Sequence, residues 1–137
     1  MRKKVELIYP EFSYKLNGLL FKVHNELGRF CREKQYGDLL EVKFKEAKIY
    51  YEREKRIPFK LHGCEIRGNI VDFYIENKIL LDLKAKKFLQ KDDFYQMKRY
   101  LEATGLKLGI IVNFRDTYLK PHRILNSKSF VDSHSNS

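Results

Sequence analysis

Asp72, Asp82 and Lys84 are the residues of this chain best placed to do chemistry. They belong to two short runs, Ile70-Val71-Asp72-Phe73-Tyr74-Ile75 and Ile79-Leu80-Leu81-Asp82-Leu83-Lys84, separated by Glu76-Asn77-Lys78. Both runs are otherwise largely apolar, so the acids sit on strands that should be buried. A buried carboxylate is costly unless something pairs it, and a divalent cation with oxygen ligands is a usual partner. Two acids and a lysine in this setting suit metal-dependent hydrolysis of a phosphodiester.

Strand geometry tests the idea. Side chains alternate faces along a strand, and three residues is a common hairpin loop length. With residues 76–78 as the loop, Ile75 faces Ile79 and Asp72 faces Asp82. One face then carries Val71, Phe73, Ile75, Ile79, Leu81 and Leu83; the other carries Asp72, Tyr74, Leu80, Asp82 and Lys84. A two-residue loop would shift the register by one and put the acids on opposite faces. The all-apolar face favours the three-residue loop. Two ionised carboxylates 4 Å apart repel by about 4 kcal/mol at an effective dielectric near 20, and a divalent cation between them would turn that repulsion into binding. The plainer alternative is an Asp–Lys ion pair on a solvated sheet face.

The elements that must hold these residues can be read from periodicity. A first helix starts after Pro10, with Phe12, Leu16, Leu19, Leu20, Val23 and Leu27 on one stripe, and stops at Gly28. A second helix is expected over 33–55, with Leu40, Phe44, Ala47 and Tyr51 on its apolar face. Gly37 weakens its first turn by about 1 kcal/mol relative to Ala, which allows a later start. Pro58 ends it, and residues 59–63 form a first strand. The hairpin follows over 69–75 and 79–84. Asp92 or Asp93 caps a third helix whose buried stripe is Phe94, Met97, Leu101 and Thr104, closed by Gly105. Residues 107–113 read as a central strand and 123–125 as a short edge strand. The order is α-α-β-β-β-α-β, an α/β fold with a mixed β-sheet flanked by helices. Residues 1–126 form a single domain; 127–137 are a Ser/Asn/His-rich tail expected to be disordered.

Charge narrows the partner. The chain has 137 residues, with 28 Lys and Arg against 18 acids and a formal net charge of +10. So basic a domain should attract a polyanion, most often nucleic acid. The bases are spread along the chain, as in Lys84-Ala85-Lys86-Lys87. Cys31 and Cys64 form no CxxC pair, which argues against a structural zinc site and a disulfide framework and fits a reducing cytoplasm. The charged start has no signal-like apolar region, and no apolar run is long enough to span a membrane.

An acid on one core strand and Asp-x-Lys on the next, in this order of elements, resembles the PD-(D/E)xK nuclease superfamily. Val23-His24-Asn25-Glu26-Leu27-Gly28, then Glu33 and Tyr36, then Thr104-Gly105 and Gly109-Ile110-Ile111-Val112-Asn113-Phe114, with the late Arg123-Ile124, are similar to the small GxxExxY proteins. The similarity covers roughly 12–126. Phe30 stands where that motif opens with glycine, so the loop cannot rely on glycine's freedom there.

The resemblance implies roles. Asp72 is the central metal ligand and Asp82 the second carboxylate, with the Leu83 carbonyl also available. Lys84 positions or helps deprotonate the attacking water, or stabilises charge on the phosphate. Glu33 is the helical acid that completes the site, with Glu26 its rival. Mg²⁺ or Mn²⁺ suits such a site. Gln96 and Tyr100, four residues apart on one helix face, resemble the Q-x-x-x-Y element of the RecB and lambda-exonuclease branch, in which Gln holds the lysine or substrate and Tyr contacts phosphate. Their alternative reading is the polar rim of an amphipathic helix. Lys86 and Lys87 either contact a DNA backbone or form a solvated run. His24 either supports a residue of the site or is a structural histidine beside an apolar stripe.

The leading function is a Mg²⁺-dependent nuclease acting on DNA. With little room for a base-reading domain, it would have low sequence specificity or act as a homodimer. The alternatives are a nucleic-acid-binding module that keeps the fold without turnover, and a purely structural or protein-interaction domain.

Overall fold

The computed structural model describes residues 8–127; the expected tail, from residue 128 onward, lies outside the described residues. Helix α1 (Pro10–Leu27) opens on proline, whose fixed φ suits a first helical position. It ends at Gly28, whose φ of 78° is left-handed and whose amide donates to the His24 carbonyl at 2.8 Å. Leu16, Leu20 and Val23 are its buried stripe. Helix α2 (Glu33–Glu46) starts where Gln35 Oε1 accepts the Arg32 amide. Gly37 does not delay that start. A Cβ there would lie 2.5 Å from Arg53 Nη2, so the glycine makes room for a guanidinium that pairs with Asp38 and Glu41.

The second helix is shorter than the sequence suggests. It stops at Glu46, Lys48 takes a φ of 58°, and the Ile49 amide closes back on the Phe44 carbonyl at 2.9 Å. The rest of the expected helix is strand β1 (Tyr51–Arg56). Its sequence, Tyr-Glu-Arg-Glu-Lys-Arg, hides the strand because it lies at a sheet edge, where charged side chains discourage further pairing. The expected first strand at 59–63 belongs instead to a small separate hairpin, β2 (Lys60–Leu61) with β3 (Cys64–Glu65). His62 and Gly63, both at positive φ, make its two-residue turn.

Strands β4 (Ile70–Ile75), β5 (Ile79–Lys84), β6 (Leu108–Asn113) and β7 (His122–Leu125) complete a five-stranded sheet in the order β1-β4-β5-β6-β7. Only β5 and β6 run parallel, joined through helix α3 (Lys91–Thr104). The middle strand is therefore β5; β6 is interior but one place removed, and β7 is the edge strand expected. Gln90 is the N-cap of α3, its amide bonded to the Asp93 carboxylate, and Gly105 closes the helix at a φ of 74°.

The β4–β5 hairpin has the three-residue loop. Ile75 pairs with Ile79, and the Lys78 amide donates to the Ile75 carbonyl across Glu76 and Asn77, both at positive φ. Helices α1 and α2 cover one face of the sheet, burying Phe73, Ile75, Ile79, Leu81 and Leu83. Helix α3 covers the other, where Met97, Tyr100 and Leu101 pack on Leu80, Ile111 and Ile124. Val71 departs from the expected pattern: it packs under α3, not with Phe73. Beside it, Glu54 of β1 takes a φ of 54°, and Glu54 and Asp72 are missing from an otherwise regular ladder. Alternation along β4 breaks at the acid. No helix among the described residues is long and apolar enough to cross a membrane.

Candidate active site

Strands β4 and β5 pair regularly from the turn to Phe73 and Leu81. One step further, side chains take over the ladder. Asp82 Oδ1 accepts the Asp72 amide at 3.0 Å, and Asp72 Oδ2 accepts the Leu83 amide at 2.7 Å. Each acid thus satisfies a backbone donor of the opposing strand, and the two carboxylates stand together where the ladder ends.

Electrostatics match that crowding. Asp82 is 5% exposed; burial, and then the charge of Asp72, push its carboxyl up to about 7, against the pull of the Asp72 amide and Lys84. Burial also raises Asp72, opposed by the Leu83 amide and Lys84. Glu33, first residue of α2, is exposed as a residue, yet its carboxyl belongs to the same field. Burial and then Asp72 raise it, while Lys84, the Ala85 amide and Lys86 draw it down. Glu26 is elsewhere, paired with Lys43 at 2.6 Å. Of the two rival acids, Glu33 is the one beside Asp72 and Lys84.

A family model of the PD-(D/E)XK nuclease superfamily matches residues 10–124. The chain belongs to the PD-(D/E)XK nuclease superfamily. A solved structure of an alkaline exonuclease from Laribacter hongkongensis is similar, with a TM-score of 0.47 and 12% identity over 96% of this chain and 77% of that one. No curated protein matches the chain in sequence.

Around this PD-(D/E)XK frame the remaining candidates are unequally placed. Lys84 Nζ lies 3.8 Å from Asp93 Oδ1, at the start of α3. Lys86 reaches the same carboxylate at 2.8 Å, and its backbone is held on both sides by Asn113: its amide by Oδ1 at 3.1 Å, its carbonyl by Nδ2 at 2.8 Å. Lys87 is exposed. Tyr100 is 3% exposed and packs in the layer between α3 and the sheet; burial, then Asp82, raise its hydroxyl. Gln96 is half-buried one turn earlier on α3. Leu83 gives its amide to Asp72 and its side chain to the α1/α2 core. His24 binds the Asp116 carbonyl at 2.9 Å and leans on Phe114, which makes it a tie between α1 and the loop after β6. Tyr36 stacks on Phe114 at 4.1 Å and donates to the Gly28 carbonyl. The positive φ of that loop falls at Gly28, so Phe30 needs no glycine-like freedom.

Sequence reasoning read Asp93 only as a helix cap and gave Asn113 no role. Lys84, Lys86 and Lys87 follow the single acid Asp82, and three lysines beside one acid are the signal that a further carboxylate was needed.

The donor set fits a hard divalent cation. Asp72, Asp82 and Glu33 bring three carboxylates to Lys84, while Lys86 is committed to Asp93. Among the described residues no trio of His, Cys, Asp or Glu closes to ligating distance. Mg²⁺ commonly takes one or two carboxylates and keeps several waters.

Proposed function

We propose that this protein is a Mg²⁺- or Mn²⁺-dependent nuclease that hydrolyses DNA phosphodiester bonds with low sequence specificity. The observation that carries the reading is the Asp72–Asp82 pair, half-buried at Asp72 and buried at Asp82, in the field of Lys84 where the β4–β5 ladder ends. In this reading Asp72 and Asp82 would hold the cation, with the Leu83 carbonyl and Glu33 also available to it. When bound, the cation supplies Lewis-acid polarisation of the phosphate and a water of lowered pKa. Lys84 orients that water or meets the charge building on the phosphate. Asp93 fixes where the Lys84 ammonium sits. Gln96 borders the site, Tyr100 supports the acids from the layer between α3 and the sheet, and Lys86 and Lys87 line the approach of the DNA backbone. Glu33 and Tyr36 support the narrower kinship with the GxxExxY proteins.

The test is cleavage of plasmid and linear DNA by purified protein with Mg²⁺ or Mn²⁺, and its loss in EDTA. Asp82→Ala and Lys84→Ala should each abolish cleavage while the fold, followed by circular dichroism, is retained. Cleavage that survives both substitutions overturns the assignment. Salt-sensitive DNA binding by a protein that takes up no Mn²⁺ and cleaves nothing identifies a binding module instead.

A further inference from the structure

Phe30 is 75% exposed in the loop between α1 and α2. Leaving so large an apolar side chain in water forgoes the stabilisation that its burial would give. The loop that presents it is tied down. Tyr36 Oη donates to the Gly28 carbonyl and accepts the Cys31 amide at 3.2 Å. Arg29 and Arg115 lock together reciprocally: Arg29 Nε donates to the Arg115 carbonyl at 2.7 Å, and Arg115 Nε to the Arg29 carbonyl at 3.2 Å. Both guanidiniums lie against the Phe30 ring, their Cζ atoms 4.9 and 5.5 Å from its centroid. Among the described residues neither arginine has an ion-pair partner. Arg115 Nη2 also donates to the carbonyl of Ala85 at 3.3 Å, the residue directly after Lys84.

We infer that Phe30, Arg29 and Arg115 form a platform for an unpaired nucleotide of single-stranded DNA beside the catalytic lysine. An exposed ring offers a base a stacking surface, and two uncompensated guanidiniums offer its phosphates charge. A base inside a duplex has both faces covered by its neighbours, so the platform selects a single strand or an unpaired end. The formal net charge of +10 favours a polyanion over an apolar protein partner. The inference deepens the nuclease reading and rests on it for the identity of the substrate.

The test is done in EDTA, so that binding is read without cleavage. Fluorescence anisotropy compares a short oligothymidylate with a blunt hairpin duplex. Phe30→Ala should weaken the oligothymidylate roughly five- to a hundredfold, the range expected for one stacked base, and leave the duplex unchanged. The chain has no tryptophan, so Phe30→Trp adds a single reporter at the ring; its emission should be quenched by oligothymidylate with affinity kept. Wild-type affinity in Phe30→Ala, equal loss for duplex and single strand, or absence of quenching each overturns the platform. Quenching by an acidic peptide but not by oligothymidylate overturns it in favour of a protein partner. If Mg²⁺-dependent cleavage persists while the platform fails, the nuclease reading stands. If binding depends on Phe30 but no divalent metal supports cleavage, the platform stands and the nuclease reading falls.

Discussion

Asp82 accepts the backbone amide of Asp72, while Asp72 reaches past Asp82 to the amide of Leu83. The exchange holds the two carboxylates side by side, although the charge of Asp72 opposes ionisation of Asp82. Asp82 is therefore held in a place that disfavours its charge, and that cost should be measurable.

The metal-free protein should lose stability as pH rises. Burial, and then the charge of Asp72, raise the Asp82 carboxyl from the ordinary carboxylate range to about 7. A folded-state pKa above the unfolded one means that the folded form holds the proton more tightly. The resulting stability is complete below about pH 4 and is lost as pH climbs through 7. Urea unfolding in EDTA should give a lower midpoint at pH 8 than at pH 5 from this group, and Asp82→Asn should flatten the difference. Millimolar Mg²⁺ at pH 8 should restore stability in the wild type alone, as expected for a ligand of the folded state.

Glu33 and Glu26 should separate cleanly. Glu33→Gln should weaken Mn²⁺ binding, read by calorimetry, by about tenfold or more, the cost of one carboxylate in such a shell. Glu26→Gln should leave binding as it was, because that side chain serves Lys43. The reverse result would move the third acid to α1.

Asp93 should matter without touching substrate. It is 9% exposed; burial would raise its carboxyl, but Lys86, the Gln90 amide and Lys84 together hold it below the usual range. Asp93→Asn should cut kcat about 10- to 100-fold with little change in KM, in line with other residues that orient a catalytic group. Glu at this position should restore part of the rate if holding the lysines is its role.

Gly109 should resist enlargement. A Cβ there would lie 2.5 Å from Met97 Sδ and 2.7 Å from its Cγ, in the layer between β6 and α3. Gly109→Ala should lower stability by about 1–3 kcal/mol by overpacking. Combining it with Met97→Ala should cost less than the sum of the two single changes, since truncating Met97 opens space that the new methyl partly fills.

The acids were legible in sequence because two short-range signals agreed: period-two alternation and a three-residue turn. That was enough to place Asp72, Asp82 and Lys84 together, and the α3 and β6 boundaries followed from Gly105 and an unbroken apolar run. Strand β1 was not legible, since Glu52, Arg53, Glu54 and Lys55 give an edge strand no apolar face to announce it. Val71 escaped for a different reason. Alternation assumes an undistorted strand, and the backbone departs from one at Glu54 and Asp72. Asp93 and Asn113 act through contacts spanning the β5–α3 connection and the crossover, which no local pattern encodes.

The turn at residues 76–78 has a consequence of its own. Surface turns ordinarily tolerate insertion and deletion. Here, the number of residues between Ile75 and Ile79 sets which side of the sheet each acid occupies. Loss or gain of one residue at this turn, far from any bond being broken, would separate Asp72 from Asp82 as surely as mutating either. Its length is thus part of the candidate site, and lineages that keep the pair should vary the identities of Glu76, Asn77 and Lys78 far more freely than their number.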